Sequence, residues 1–326
     1  MNTFSHIDPK IIQLAERLMQ QQQPERSSLF PPLDKTGFEA ECVSVFHHID
    51  NHDMAMGQGN YDGQMRKIPD NVGRLIRRTD NMWPLGVVGE RYAIAQNQTL
   101  ATALAEGCEA ALPTHALQNI ELREHTSRGG KFSRIEYTFP EIGADIRQLS
   151  GRSTQLKFKV AVTNWFGGGS IRGFAGAIDS WCTNGCTFGE FEVSVFRHTK
   201  GFNPARIKDF VTLEAERFKE RINIWRMWAR AEIKPADAEV ALEAAGMSGT
   251  RIKKMMEQLD LEAQERGMTV WALYSALTYY SSHNSELFSV RNAAAADNVA
   301  ETLDAREQEV SKIITHPAMQ ALGMAA

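Results

Sequence analysis

The chain has 326 residues, 43% of them hydrophobic and 23% charged, with a formal net charge of −4. These values exclude a wholly disordered, collagen-like or membrane-spanning chain, and no run reaches the ~18 apolar residues that a membrane helix needs. Four cysteines (Cys42, Cys108, Cys182, Cys186) and a start without the basic-then-apolar secretory pattern point to a reducing, cytoplasmic setting.

In chain order, residues 8–22 read as a short helix with Ile11, Leu14, Leu18 and Met19 on one stripe, ended by Pro24. A proline-rich loop follows to residue 36. Residues 42–48 alternate and read as a strand, and the Gly/Asn/Asp-rich stretch 51–64 as a mobile loop. Residues 66–78 hold five cations, with Arg74, Arg77 and Arg78 at helical i, i+3, i+4 spacing. A turn and strand pair spans 85–96, and a helix spans 99–111. Strands at 120–125, 131–140 and 155–165, joined by turns at 127–130 and 141–151, form an antiparallel meander. Residues 185–198 carry another strand.

After Pro204 the period changes. Residues 207–231, 235–245, 249–266, 270–280 and 293–314 all read as helices, the first burying Phe210, Leu213, Phe218, Ile222, Trp225 and Trp228. The class is α+β. A mixed domain over 1–203 carries a basic antiparallel sheet. A helical domain over 204–326 serves oligomerisation or partner docking.

Charge follows the same division. Residues 61–210 carry 19 basic and 15 acidic side chains, whereas 211–326 carry 13 and 17. A basic middle in an acidic chain suits an anionic partner. Motifs for enzyme chemistry fail. There is no phosphate-binding glycine loop, and Arg172 breaks both glycine patterns in 166–173. Cys182 and Cys186 lack a second cysteine pair for zinc. His47, His48, Asp50, His52 and Asp53 are the densest set of potential metal ligands, on a segment whose geometry does not assemble them. Neither a cofactor nor a metal is expected.

The strongest signal lies in 128–202, where cations interleave with aromatics. Arg128, Lys131, Arg134, Arg152, Lys157, Lys159, Arg172, Arg197 and Lys200 alternate with Trp165, Phe166 and Phe174, among others. Spaced cations on a sheet face can track phosphates, and aromatics at its rim can stack unpaired bases. Trp165 and Phe166 open a triple-glycine loop, and the same loop carries Arg172. The candidate single-stranded-DNA site is this set together with Arg74, Arg77 and Arg78.

Three blocks carry a family likeness: LGVVGERYAIAQNQTL (85–100), SIRGF…WCTNGCTF…RHTKGF (170–202) and RGMTVWALYSALTYYSSHNS (266–285). The chain resembles the phage/plasmid-like protein family, a domain of unknown function. Within it, the chain is similar to the single-stranded-DNA-binding RNA polymerase cofactors of phages with a virion RNA polymerase, the Drc type. That likeness implies binding to melted promoter DNA, recruitment of a phage RNA polymerase and life in the host cytoplasm.

The resulting expectation is a non-catalytic single-stranded-DNA-binding protein, self-associating and without a membrane. The alternatives are a single-strand annealing or recombination protein, and a metal-dependent nuclease built on residues 47–53.

Overall fold

The computed structural model describes residues 29–49, 66–179, 187–287 and 299–324. Eight strands, seven α-helices and two 3-10 turns lie among them, in two antiparallel sheets, so the fold is α+β as expected. The readings at 8–22 and 51–64 lie outside the described residues, as do those at 180–186 and 293–298.

The smaller sheet has the order β1 (Ala40–Ile49), β2 (Arg66–Arg78), β3 (Pro84–Val88). Residues 66–78 are therefore its central strand and not a helix, correcting the spacing argument. Both edges of β2 are hydrogen-bonded, to β1 and to β3. Strand alternation turns Arg77 away from Arg74 and Arg78.

The larger sheet is a meander of β4 (Glu121–Ser127), β5 (Phe132–Arg147), β6 (Ser153–Trp165), β7 (Ile171–Asp179) and β8 (Thr187–Phe196). β5 runs on through the stretch expected to be a turn, with a register shift between Phe139 and Gly143. Arg172, expected in the triple-glycine loop, stands instead on β7, as does Phe174.

The two faces of the larger sheet differ in chemistry. Ile135, Tyr137, Phe139, Phe158, Val160 and Val162 are buried on one face. That face is covered by α1 (Asn97–Ala111) and α2 (Ala205–Trp228); Phe158 meets Phe218 with ring centroids 4.8 Å apart. α1 is alanine-rich and stops ahead of Pro113, where the helix can no longer continue. Leu213 of α2, expected to be buried, is exposed.

The remaining helices are α3 (Pro235–Ala244), α4 (Gly249–Arg266), α5 (Val270–Leu287), α6 (Val299–Ile314) and α7 (Pro317–Met324). One buried cluster runs from Phe30 to Met319 and takes in side chains from both sides of residue 203. Trp225, Trp228, Trp271, Tyr274 and Tyr280 lie within it. No helix among the described residues is long and apolar enough to cross a membrane.

The two sheets are tied together near residue 198. Tyr92 bridges to Thr199, the Ala93 amide donates to the His198 carbonyl at 3.2 Å, and the Tyr92 and His198 rings stack 4.6 Å apart. Burial lowers the His198 pKa to about 4 and pushes the Tyr92 hydroxyl up.

Candidate nucleic-acid interface

The second face of the larger sheet is polar. Strand alternation places Arg134 and Glu136 of β5 on it, with Lys157, Lys159 and Trp165 of β6 and Arg172 and Phe174 of β7. This is the cationic face that the sequence describes, but Arg134, Glu136, Lys159 and Phe174 on it are closed to solvent. α6 lies across it with a carboxylate for each of three cations. Arg128 pairs with Glu301 at 2.9 Å, Arg172 with Asp304 at 2.8 Å and Arg134 with Glu307 at 2.6 Å.

Arg134 and Lys159 have side-chain exposures of 0% and 1% and share Glu136, which Arg134 contacts directly and Lys159 reaches at 2.8 Å. Burial works against the charge on Arg134, but Glu136, Glu307 and Asp304 outweigh it and stabilise the cation. Burial likewise pushes the Glu136 carboxyl up, while Arg134 and Lys159 hold it well below the usual range. Asp304 stays above its ordinary value because burial prevails over Arg134 and Arg172.

Four expected contact residues are thus inside the protein in this arrangement. Arg134 and Lys159 are held in the ion network, Phe174 lies beneath the Arg134 guanidinium at 5.2 Å, and Phe166 is fully buried. Phe166 packs with Ala40, Ile76, Leu85 and Val88 in a second core between the smaller sheet and the glycine loop. The triple-glycine loop lets its chain run close to β3: a Cβ at Gly86 would fall 2.6 Å from the Gly167 Cα.

The other expected cations divide between paired and unpaired. Arg74 points inward and donates to the Glu90 and Tyr92 carbonyls at 2.8 and 3.0 Å. Arg77 pairs with Glu41 at 2.7 Å, Arg152 with Glu265 at 3.2 Å and Lys157 with Glu121 at 3.2 Å. Arg78 pairs with Asp80, donates to the Gly129 carbonyl at 3.2 Å and lies over the Phe38 ring. Arg197 and Lys200 are exposed. Neither they nor Lys131 makes an ion pair with another described residue.

The open part of the surface sits at the rim of the two sheets. Trp83, in the turn between β2 and β3, is 53% exposed. Its ring lies against Gly129, whose φ is +66° and where an added Cβ would fall 2.2 Å from the indole Nε1. At Gly167 the Lys131 side chain crosses the backbone; a Cβ there would lie 2.1 Å from Lys131 Cε and 3.1 Å from Trp165 Nε1. Trp165 is half-buried and edge-on to Phe132 with centroids 5.8 Å apart.

Lys131 and Trp165 therefore meet over Gly167, with Trp83 on Gly129 two residues before Lys131, and Lys131 has no ion-pair partner among the described residues. Beyond Trp165 the surface continues into a cavity of about 340 Å³ lined by Arg172, Asp304, Gln308 and Lys312. Sequence reasoning missed Trp83. The available signal was a tryptophan in a polar turn, TDNMWP, directly after three arginines.

The metal reading rests on residues 47–53, whose side chains lie outside those described. Among the described residues no group of three or more His, Cys, Asp or Glu could hold a metal ion.

A family profile matches residues 84–312, more than half of the chain. The chain belongs to DUF932, a domain family of unknown function. The family's span begins one residue after Trp83 and ends within α6, so it holds the five-stranded sheet together with the helix that covers it. No curated protein and no solved structure is significantly similar to the chain.

Proposed function

We propose that this protein binds single-stranded DNA without catalysis. The observation that carries the reading is the rim arrangement: Lys131, without an ion pair to any described residue, and half-buried Trp165 meet over Gly167, and exposed Trp83 packs on Gly129, two residues before Lys131. Indole faces accept unpaired bases of any sequence, and an unpaired lysine accepts phosphate. A duplex hides its base faces, so the same surface discriminates against it. Arg128, Arg197 and Lys200 add exposed or half-exposed positive charge.

The similarity to Drc-type phage RNA polymerase cofactors, which no single block carries, extends the proposal to holding melted promoter DNA for a phage polymerase in the host cytoplasm. On that reading the helical part supplies self-association or polymerase docking.

Fluorescence anisotropy with a labelled single strand of about 30 nucleotides and the matching duplex, at two salt concentrations, tests the proposal. The expected result is tighter binding to the single strand that weakens steeply with salt. Binding to neither, or an affinity that ignores salt, overturns it.

A further inference from the structure

The buried stripe of α6 changes chemistry half-way along. Its second half buries Val310, Ile313 and Ile314, which belong to the main core. At the corresponding positions of the first half, where a packed helix ordinarily carries apolar residues, stand Asp304 and Glu307, both nearly inaccessible. Glu301, Asp304 and Glu307 recur every three residues, and each meets a guanidinium of the sheet side: Arg128, Arg172 and Arg134. So Glu301, Asp304 and Glu307 bind α6 to the sheet side by ion pairs, and Val310, Ile313 and Ile314 bind its second half by apolar packing.

We propose that the first half of α6 stands in for a nucleic-acid backbone. A single strand takes the polar face of the five-stranded sheet by displacing Glu301, Asp304 and Glu307, and its phosphates inherit Arg128, Arg172 and Arg134. The inference rests on the single-stranded-DNA reading and extends that site inward from its rim. Guanidinium groups accept carboxylate and phosphate with the same planar fork, so the exchange replaces one anion with another. Uncovering Arg134 with no anion to follow would be costly; exchange avoids that state.

The route is continuous. Trp165 borders both the open rim and the cavity that Arg172 and Asp304 line. Phe174, on the same face as Arg134, is a further aromatic platform once the helix turn above it moves. The apolar second half keeps α6 attached while its first half yields.

Hydrogen exchange of the full chain, with and without a saturating oligo(dT) strand whose binding is confirmed by anisotropy, is the test. Amides of residues 301–308 are expected to exchange at least about tenfold faster in the complex, while those of 310–314 keep their protection. A bound strand that leaves 301–308 unchanged or more protected overturns the displacement and leaves DNA binding standing. No binding at all overturns both. Glu301→Gln, at a half-exposed position, gives an independent reading: removing one competing carboxylate is expected to tighten strand binding about threefold, and unchanged or weaker binding counts against the proposal.

Discussion

The rim and the covered face of the larger sheet use the same residue types to opposite ends. At the rim, Lys131 makes no ion pair with a described residue and Trp83 is open. A few residues away, Arg134 and Lys159 are buried and paired, both to Glu136 and Arg134 also to Glu307 of α6. A cation on a strand therefore says little about binding until its counter-charge is located. For Arg134 that counter-charge is on the same strand and on α6; for Lys131 none is in place among the described residues.

The sharpest way to break the comparison is to unbalance the covered face. Glu136→Ala leaves Arg134 and Lys159 without their common anion, and the variant is expected to lose about 3–5 kcal/mol of stability in urea denaturation. A loss below about 1 kcal/mol would mean that the network is solvated and that the two regions are alike.

Acid probes the junction between the sheets. His198 takes up a proton near its ordinary pKa of 6.5 when unfolded, but only at about 4 when folded. The unfolded state binds the proton first, so stability falls as pH drops from 6.5 towards 4, by up to about 3 kcal/mol. Denaturation at pH 7 and pH 4.5 should show that His198→Phe, which keeps the stack on Tyr92, is less acid-sensitive than the parent. Equal sensitivity would contradict the burial argument.

At the rim the expected effects are on binding and not on stability. Trp83→Ala should weaken single-strand binding by about 1–3 kcal/mol, with the salt slope and the unfolding midpoint unchanged. Lys131→Ala should reduce the slope of log affinity against log salt by about one unit. Equal slopes for the two variants would refute their separate roles. The smallest effect is expected for Lys157→Ala. Its partner Glu121 is half-exposed, and the pair should contribute under about 1 kcal/mol to stability.

The periodicities made most of the fold legible. The apolar alternation of 131–140 and 155–165 marked β5 and β6, and the change of period after Pro204 marked α2 to α5. Two errors share a cause. The 66–78 segment has helical arginine spacing, and Arg172 follows a glycine loop, yet both stand on strands because neighbouring strands pair with them. Long-range hydrogen bonding overrode local preference. The interface was legible as composition only. Lys131 and Trp165 lie at the rim, whereas the burial of Arg134 and Phe174 involves a helix far along the chain.

That distance has a consequence for how the protein is made. Arg128 and Glu301 are 173 positions apart in sequence. During synthesis the sheet strands leave the ribosome long before the helix that neutralises them. For that interval the nascent chain presents Arg128, Arg134 and Arg172 without the carboxylates of α6, and its final fold waits on residues 301–307. A premature stop before α6 would therefore release an unfinished and aggregation-prone species whose sheet arginines lack these carboxylates, not a shorter version of the same protein.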